Sequence, residues 1–209
     1  MELLSNSLTD QAPIAEKFAF AVIDPDNHVA LSSNINPHLA WKGEPAGTRS
    51  FAVVCHDPDV PSVGDDVNQE DREVPADLPR VNFYHWTLFD IPADQSELME
   101  GSHCQGITPR GKNGPSAPQG LRHGLNDYTS WFAGDEDMEG SYFGYDGPCP
   151  PWNDSIVHRY VFTVYALDVS TLPVKDDFSG AAIVAAMEGH VLAKASITVS
   201  YTLNPRLAD

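Results

Sequence analysis

Five short segments rich in β-branched and aromatic residues constrain the fold of this chain most strongly. Apolar and other residues alternate in the last of them, VLAKASITVSY at 191–201, so that every second side chain shares one face, as in a half-buried strand. Loops rich in proline and glycine separate the segments, which predicts a mainly β, antiparallel architecture. The other four segments are FAFAVI at 18–23, SFAVVCHD at 50–57, FYHWTLFDI at 83–91 and HRYVFTVYALD at 158–168.

The best helix candidate is FSGAAIVAAMEG, in which Ser179 is a possible N-cap and Gly189 a C-terminal stop. One or two short helices are therefore expected beside the strands, with a C-terminal helix near 179–188. The chain has 209 residues, a length that one β-rich domain can fill, and we predict a single domain over 1–209.

Two long regions lack a periodic element. The acidic segment 63–80 contains little apolar material and is predicted to be a solvated excursion between two core strands. The region 101–157 is too long for an idle linker, so we expect it to be ordered around a site or an interface.

The formal charge of −18 disfavours binding to nucleic acid or to an anionic membrane surface. No apolar run reaches the roughly 18 residues of a membrane helix, and the first 20 residues lack the pattern of a signal peptide. These features predict a soluble, cytoplasmic protein without integral membrane insertion. The three cysteines form no C-x-x-C pair, which argues against a disulfide framework and a structural zinc site.

Three places in the sequence could carry chemistry. Asp57 ends a predicted strand at a proline, which would fix its carboxylate on a rim, although Asp-Pro is also an ordinary turn signal. His85 alternates with Tyr84 and Trp86 and could equally be a hydrogen-bonded core histidine. In the stretch GPCPPWNDSIVHRY, a stiff loop rich in proline precedes His158 and Tyr160. This loop could form the wall of a binding site, or it could simply lead into a strand.

If these side chains converge, they could hold an anion that carries a proton, such as a phosphate monoester. Imidazole N–H and phenol O–H groups would donate to its oxygens, while Asp57 would orient a histidine or accept from a protonated oxygen. Two alternatives stay open. Two histidines and a carboxylate could bind a metal, and Cys149 with His158 and an acid could form a thiol hydrolase site.

The spans 34–61, 85–92, 144–168 and 188–201 resemble the phosphatidylethanolamine-binding protein family, and most of all its bacterial branch, often called Raf kinase inhibitor-like. The resemblance depends on four motifs that occur in the same order as in the family: D-P-D-x-P, H-W, G-P-C-P-P and H-R-Y. It implies an antiparallel Greek-key β-sandwich of two sheets and an anion pocket at one end. Carried over by position, the pocket residues are Asp57, His85, His158 and Tyr160, with a rim of Cys149, Pro150 and Pro151.

The resemblance also implies a cis bond before Pro61, and it makes Asp59 and Arg159 structural supports. Two departures from the family pattern stand out. The family usually has Lys-Gly after its last two prolines, whereas this chain has Trp152-Asn153-Asp154, and the acidic segment 63–80 is longer than usual and is a candidate lid.

The resulting hypothesis is a noncatalytic protein without a cofactor that binds phosphate, a phosphorylethanolamine-like head group or a carboxylate. Modulation of a kinase or another phosphoprotein partner would be a second role. The alternative is a hydrolase that uses Cys149 and His158 or a bound metal. A homodimer through 101–157 is a further possibility, because aromatic residues of this region are typical interface anchors, unless they pack onto the sandwich: Tyr128, Trp131, Phe132, Tyr142 and Phe143.

Overall fold

The computed structural model describes residues 1–208 and contains ten strands, two short α-helices and two short 3-10 turns. The strands are β1 (Glu2–Leu4), β2 (Ala21–Asp24), β3 (His28–Leu31), β4 (Leu39–Lys42), β5 (Ser50–Pro61), β6 (Arg80–Pro92), β7 (Glu97–Leu98), β8 (Arg122–His123), β9 (His158–Leu167) and β10 (Val191–Tyr201). The helices are α1 (Tyr128–Trp131) and α2 (Gly180–Ala186), and the 3-10 turns are Glu16–Phe18 and Pro118–Gly120.

The long strands form one five-stranded antiparallel sheet in the order β10-β9-β5-β6-β8. Strand β5 lies in its centre, paired with β6 on one side and β9 on the other. A three-stranded sheet, β1-β4-β7, and the hairpin β2-β3 complete the β-structure. This topology brings the C-terminal half of β5 and the N-terminal ends of β6 and β9 to the same end of the large sheet.

The main core lies between the five-stranded and the three-stranded sheets. Trp41 of β4 packs edge-on against Phe51 of β5, with ring centroids 5.3 Å apart, and the fully buried Trp86 and Phe162 continue the same cluster. A second cluster on the opposite face of the large sheet is covered by α2, whose Ile183 is fully buried. The sandwich is therefore held by apolar burial on both faces of β5.

The mainly β prediction is confirmed, since strands account for 37% and helices for 8% of the chain. The helix near 179–188 is confirmed as α2, where Ser179 Oγ accepts a hydrogen bond from the Ala182 amide. Gly189 adopts φ +81, a left-handed conformation that suits a helix end.

Two boundary predictions were wrong. The first predicted strand begins at Ala21, because a 3-10 turn occupies Glu16–Phe18. Strand β5 does not stop at Pro58: it continues to Pro61. The pairing with β6 is irregular between Asp57 and Val60. Pro58 lies in this irregular part, where its missing N–H does not remove a hydrogen bond between the strands.

The acidic segment 63–80 is less solvated than the sequence predicts. Val74 is fully buried, and Val67 is nearly so. The Asn153 side-chain amide donates to the carbonyl oxygens of Asp66, Gln69 and Arg72 at 2.8, 3.2 and 3.1 Å. One buried asparagine thus fastens the segment to the loop that follows the prolines.

Within residues 1–208, no helix is both long enough and apolar enough to cross a lipid bilayer.

Candidate functional site

A cavity of about 380 Å³ opens at the end of the five-stranded sheet where β5, β6 and β9 come together. This size lies within the range of about 300–1,000 Å³ that is typical of small-molecule pockets. All the residues that were predicted for the site line it: Asp57, Pro61, His85, Cys149, Pro150, Pro151, His158 and Tyr160. A second, more open surface cleft of about 480 Å³, near Glu100 and Gln105, contains none of them.

Pro61 lies in the cavity wall, but the expected cis bond before it is absent. Among residues 1–208 the cis peptide is the one between Gly114 and Pro115, and Val60–Pro61 is trans. Pro61 is the last residue of β5 and pairs with Arg80 of β6, so the extended strand reaches the cavity rim without a cis turn.

His158 is held between two buried carboxylates. Its Nδ1 donates to Asp57 Oδ2 at 2.7 Å, and its Nε2 donates to Asp154 Oδ2 at 2.9 Å. Burial by itself would lower the pKa of His158, but the hydrogen bonds to Asp154 and Asp57 outweigh it and raise the pKa to about 9. His158 is therefore an imidazolium at neutral pH, and neither of its N–H groups is left for a ligand.

Arg80 extends this network away from the cavity. Its guanidinium donates to both oxygens of Asp154, at 2.6 and 3.0 Å. Burial raises the pKa of Asp154, but the hydrogen bonds from His158 and Arg80 overcome that effect and keep the pKa below its ordinary value. The result is a buried chain of alternating charges that runs from Asp57 through His158 and Asp154 to Arg80.

His85, unlike His158, is hydrogen-bonded to a backbone oxygen and not to a carboxylate. Its Nδ1 lies 2.8 Å from the backbone oxygen of Asp146, to which it donates. Burial lowers the pKa of His85 despite the nearby Asp57 carboxylate, so the ring is neutral near pH 7. With the proton on Nδ1, Nε2 carries a lone pair and, within residues 1–208, makes no hydrogen bond to the protein.

Tyr160 supplies a free donor. Its side chain is fully buried, and its hydroxyl meets no hydrogen-bond partner within residues 1–208. Burial, followed by the charge of Asp57 and by the closeness of that carboxylate to the hydroxyl, raises the pKa of Tyr160 well above its ordinary value, so the hydroxyl keeps its proton. Unpartnered buried hydroxyls are unusual, and one on a residue that lines a cavity is a candidate ligand contact.

Aromatic rings form most of the remaining wall. Tyr128 stacks on Phe20 with ring centroids 4.8 Å apart and meets Phe83 edge-on at 5.2 Å. The Tyr128 hydroxyl donates to the Gly147 carbonyl oxygen at 2.7 Å. From the sequence, Tyr128 was expected either to be an interface anchor or to pack onto the sandwich, and it was not identified as a wall of the site.

The mouth of the cavity also exposes apolar side chains. Leu31, Val63 and Trp131 are 69%, 51% and 52% exposed and line the opening. Beside it, Trp152 stacks on His28 with centroids 3.8 Å apart, and His28 Nε2 is hydrogen-bonded to Glu70 at 2.8 Å. The acidic segment 63–80 thus reaches the mouth at Val63 and is joined to the β2-β3 hairpin through Glu70.

Asp59 and Arg159 form a bidentate ion pair, with Nε and Nη2 of Arg159 donating to Asp59 at 2.8 and 2.7 Å. Neither residue lines the cavity. This ion pair agrees with the supporting role that the family resemblance implies for the two residues.

Cys149 lines the cavity as a thiol. Burial raises its pKa to about 12, so the nucleophilic thiolate is scarce at neutral pH. All three cysteines are free. Within residues 1–208, no group of three His, Cys, Asp or Glu side chains is arranged to hold a metal ion.

The proline loop is held in place through Gly147, which leads to a testable prediction. A Cβ added to Gly147 would lie 2.0 Å from the Phe18 carbonyl oxygen, and backbone atoms cannot move aside as a flexible side chain can. Gly147→Ala should lower the free energy of unfolding by about 1–3 kcal/mol, measured by urea denaturation, and should loosen the wall at Cys149 and Pro150.

Gly64→Ala is the matched control for that substitution. Gly64 also lines the cavity, but an added Cβ there meets no atom within 4 Å, and its φ is not in the left-handed region. Its unfolding free energy should therefore stay close to that of the unmodified protein, and a Gly147→Ala variant of equal stability would contradict the proposed close contact.

The fold and the cavity together define an antiparallel β-sandwich protein with a ligand-sized pocket at one end of its central sheet. Comparison with known proteins agrees with this description, since residues 4–202 match the family described as Phosphatidylethanolamine-binding protein. The chain belongs to this family.

Relatives occur in bacteria and archaea. The chain is 32% identical over 202 residues to the UPF0098 protein YbhB of Escherichia coli K12, covering 97% of this chain and 100% of YbhB. It is 34% identical over 180 residues to a UPF0098 protein of Methanothermobacter thermautotrophicus, covering 85% and 89% of the two chains. The crystal structure of E. coli YbcL, described as a new member of the mammalian PEBP family, superposes with a TM-score of 0.67 at 26% identity, covering 96% and 97%.

Proposed function

We propose that this protein is a noncatalytic binding protein for a small anion with an oxygen-rich head, such as phosphate, a phosphorylethanolamine-like head group or a carboxylate. The observation that carries the proposal is the buried, unpartnered hydroxyl of Tyr160 in the cavity wall. A ligand oxygen that accepts from this hydroxyl would relieve an otherwise uncompensated buried donor.

The rest of the cavity supports a ligand with an apolar part. Phe20, Phe83, Tyr128 and Phe132 surround the polar end. The volume of about 380 Å³ also leaves room beyond a single small head group. An aryl or alkyl substituent on the anion would bury apolar surface against these rings.

The surface charge of −18 does not oppose such a ligand strongly. Exposed charges farther away than the Debye length of about 8 Å are largely screened at physiological ionic strength. A donor within hydrogen-bond distance in a buried cavity has a much larger effect than these distant charges.

Modulation of a kinase or another phosphoprotein partner belongs to the same proposal, because a phosphorylated side chain would present the same oxygens to the cavity.

A homodimer through 101–157 also stays a prediction. Of the rings in that region, Tyr128 and Tyr142 are buried within the chain, whereas Trp131 remains largely exposed. A cytoplasmic location is likewise a prediction, and the three free thiols agree with it.

The hydrolase alternative has less support. A thiol whose pKa is raised to about 12 lacks activation, and the only histidine proposed as its base has both nitrogens bonded to carboxylates.

Substitution of Tyr160 by phenylalanine tests the proposal. The affinity for phenyl phosphate, measured by isothermal titration calorimetry, should fall about 10- to 100-fold, as expected for a lost hydrogen bond to a charged group. The thermal stability should be unchanged or slightly higher, because the hydroxyl has no partner in the ligand-free protein.

Tyr165→Phe is the matched control, since Tyr165 lies on the same strand but outside the cavity and should leave the affinity unchanged. Equal affinity of the Tyr160→Phe variant and the unmodified protein would remove the observation on which the proposal depends. Absence of any binding at millimolar phenyl phosphate would refute the function itself.

A further inference from the structure

The cavity contains no free positive charge. None of the residues that line it is lysine or arginine. The cation in its wall, His158, lies between Asp57 and Asp154, and Arg80 is bound to both oxygens of Asp154. The negative charges of the two carboxylates cancel the positive charges of the two cations, so this network has no net charge that would attract an incoming anion.

The stretch beside the prolines contributes to this balance. Trp152-Asn153-Asp154 carries no cation and ends in a buried carboxylate. Asp154 then occupies Nε2 of His158, which would otherwise be free to donate.

At the polar end of the cavity, formed by Asp57, His85, His158 and Tyr160, the atoms that remain for a ligand are mostly acceptors. Asp57 Oδ1 accepts from the Asp59 amide at 2.7 Å, and Oδ2 accepts from His158, so each oxygen retains a second lone pair, and the Tyr160 hydroxyl lies near the same carboxylate. His85 Nε2 carries a lone pair as well, because the ring proton is on Nδ1. At this polar end, the Tyr160 hydroxyl is the donor left without a partner within residues 1–208.

The groups packed around His85 do not change this balance. Two carboxylates lie near His85, those of Asp57 and Asp146, and the Asp146 carboxylate is already paired with Lys112 Nζ at 2.7 Å. Its other neighbours are uncharged at neutral pH. The uncharged groups are the hydroxyls of Tyr128 and Tyr160, the Cys149 thiol and the Asp146 carbonyl.

We propose that this cavity selects acids that bring their own proton, such as the singly protonated form of a phosphate monoester, and rejects anions of the same shape that have none, such as sulfate esters. The inference rests on the proposed function and narrows its ligand class. The ligand O–H would donate to His85 Nε2 or to a free lone pair of Asp57, while an unprotonated ligand oxygen accepts from Tyr160. A sulfate ester would instead place oxygen lone pairs against the lone pairs of the protein, with no proton between them.

Phenyl phosphate and phenyl sulfate form the matched pair of probes. At pH 5.5 a phosphate monoester, whose second pKa is about 6, is mostly a monoanion, so both probes carry about one negative charge and the same ring. Calorimetric titration of the full chain should give an affinity for phenyl phosphate at least about 100-fold higher, because a site built to accept from an O–H discriminates strongly against an analogue that lacks it. Equal affinities would overturn the inference while leaving anion binding intact.

Proton counting supplies a second readout on the unmodified protein. At pH 8 phenyl phosphate is mostly a dianion, so binding of the protonated form should take up close to one proton per site. Titrations in two buffers of different ionisation enthalpy measure this uptake, and the affinity should fall about tenfold per pH unit above pH 7. Uptake near zero would contradict the inference, and failure of both probes to bind would refute the proposed function together with it.

His85→Gln provides a variant that changes selectivity. A glutamine amide can donate as well as accept, so this variant should narrow the preference for phenyl phosphate over phenyl sulfate. The control is His103→Gln, because His103 is a partly buried histidine that does not line the cavity. An unchanged ratio for His85→Gln would exclude Nε2 as the acceptor and leave Asp57 in that role.

Discussion

Substitution of Asp154 by asparagine is expected to lower the free energy of unfolding by about 3–5 kcal/mol, which is the usual effect of removing one partner from a buried ion pair. Asp154 is 1% exposed and accepts from His158 and from both ends of the Arg80 guanidinium. An asparagine has the same shape, but its Nδ2 would face an N–H donor, and two buried cations would lose a shared counter-charge. Against a total stability of about 5–15 kcal/mol for an ordinary domain, this loss is large.

The exposed pair of His190 and Asp168 provides a control of the same chemical type. Its Nδ1–Oδ1 distance of 2.8 Å resembles that of the buried pair, but the side chains are 37% and 46% exposed. Asp168→Asn should change the unfolding free energy by less than about 1 kcal/mol. Urea denaturation of both variants at pH 7 measures the difference, and similar losses in the two would show that burial of Asp154 is not the decisive factor.

Raising the pH from 6.5 to 9 is expected to remove about 3 kcal/mol of stability through His158 alone. Its pKa is raised from 6.5 to about 9 in the folded protein, so the folded state binds one proton more than the unfolded state across that interval. The stabilisation is complete below pH 6.5, where both states are protonated, and is lost as the pH rises through 9. The slope is about −1.4 kcal/mol per pH unit.

Unfolding free energies at several pH values between 6 and 9 measure this slope. His158→Gln cannot titrate and should flatten it, although the variant is expected to be less stable than the unmodified protein at neutral pH. His190→Gln should keep the slope, because His190 lies in the exposed pair. An equally steep decline in the His158→Gln variant would assign the pH dependence to other groups.

The strands with strong apolar periodicity could be predicted from the sequence because their signal is local. The segments 83–91, 158–168 and 191–201 all became long strands of the central sheet. The short strands β1, β7 and β8 contain two or three residues each, too few for a period, and exist because tertiary pairing holds them. Helix α2 could be predicted because its N-cap and its terminal glycine lie within its own sequence.

The residues of the site also fall into those that could be predicted from the sequence and those that could not. Asp57, His85, His158 and Tyr160 could be proposed because their motifs follow one another in the order typical of the family, and the sheet register then places them around one cavity. Tyr128 could not be placed in the wall, because no local pattern distinguishes a ring that packs inward from one at an interface. Its neighbours Phe20 and Phe83 are distant in the sequence.

The β-rich architecture, the C-terminal helix and the identity of the polar residues could be predicted without coordinates, since each depends on neighbours a few positions away or on a linear motif. What those residues can do depends on contacts made in the folded protein. Whether His158 is free to donate depends on Asp57, which is 101 positions away, and on Asp154, whose charge is fixed by Arg80, 74 positions from it. Such contacts leave no period in the sequence, yet at distances below 3 Å in a buried site they set the charge of His158 and leave it no N–H for a ligand.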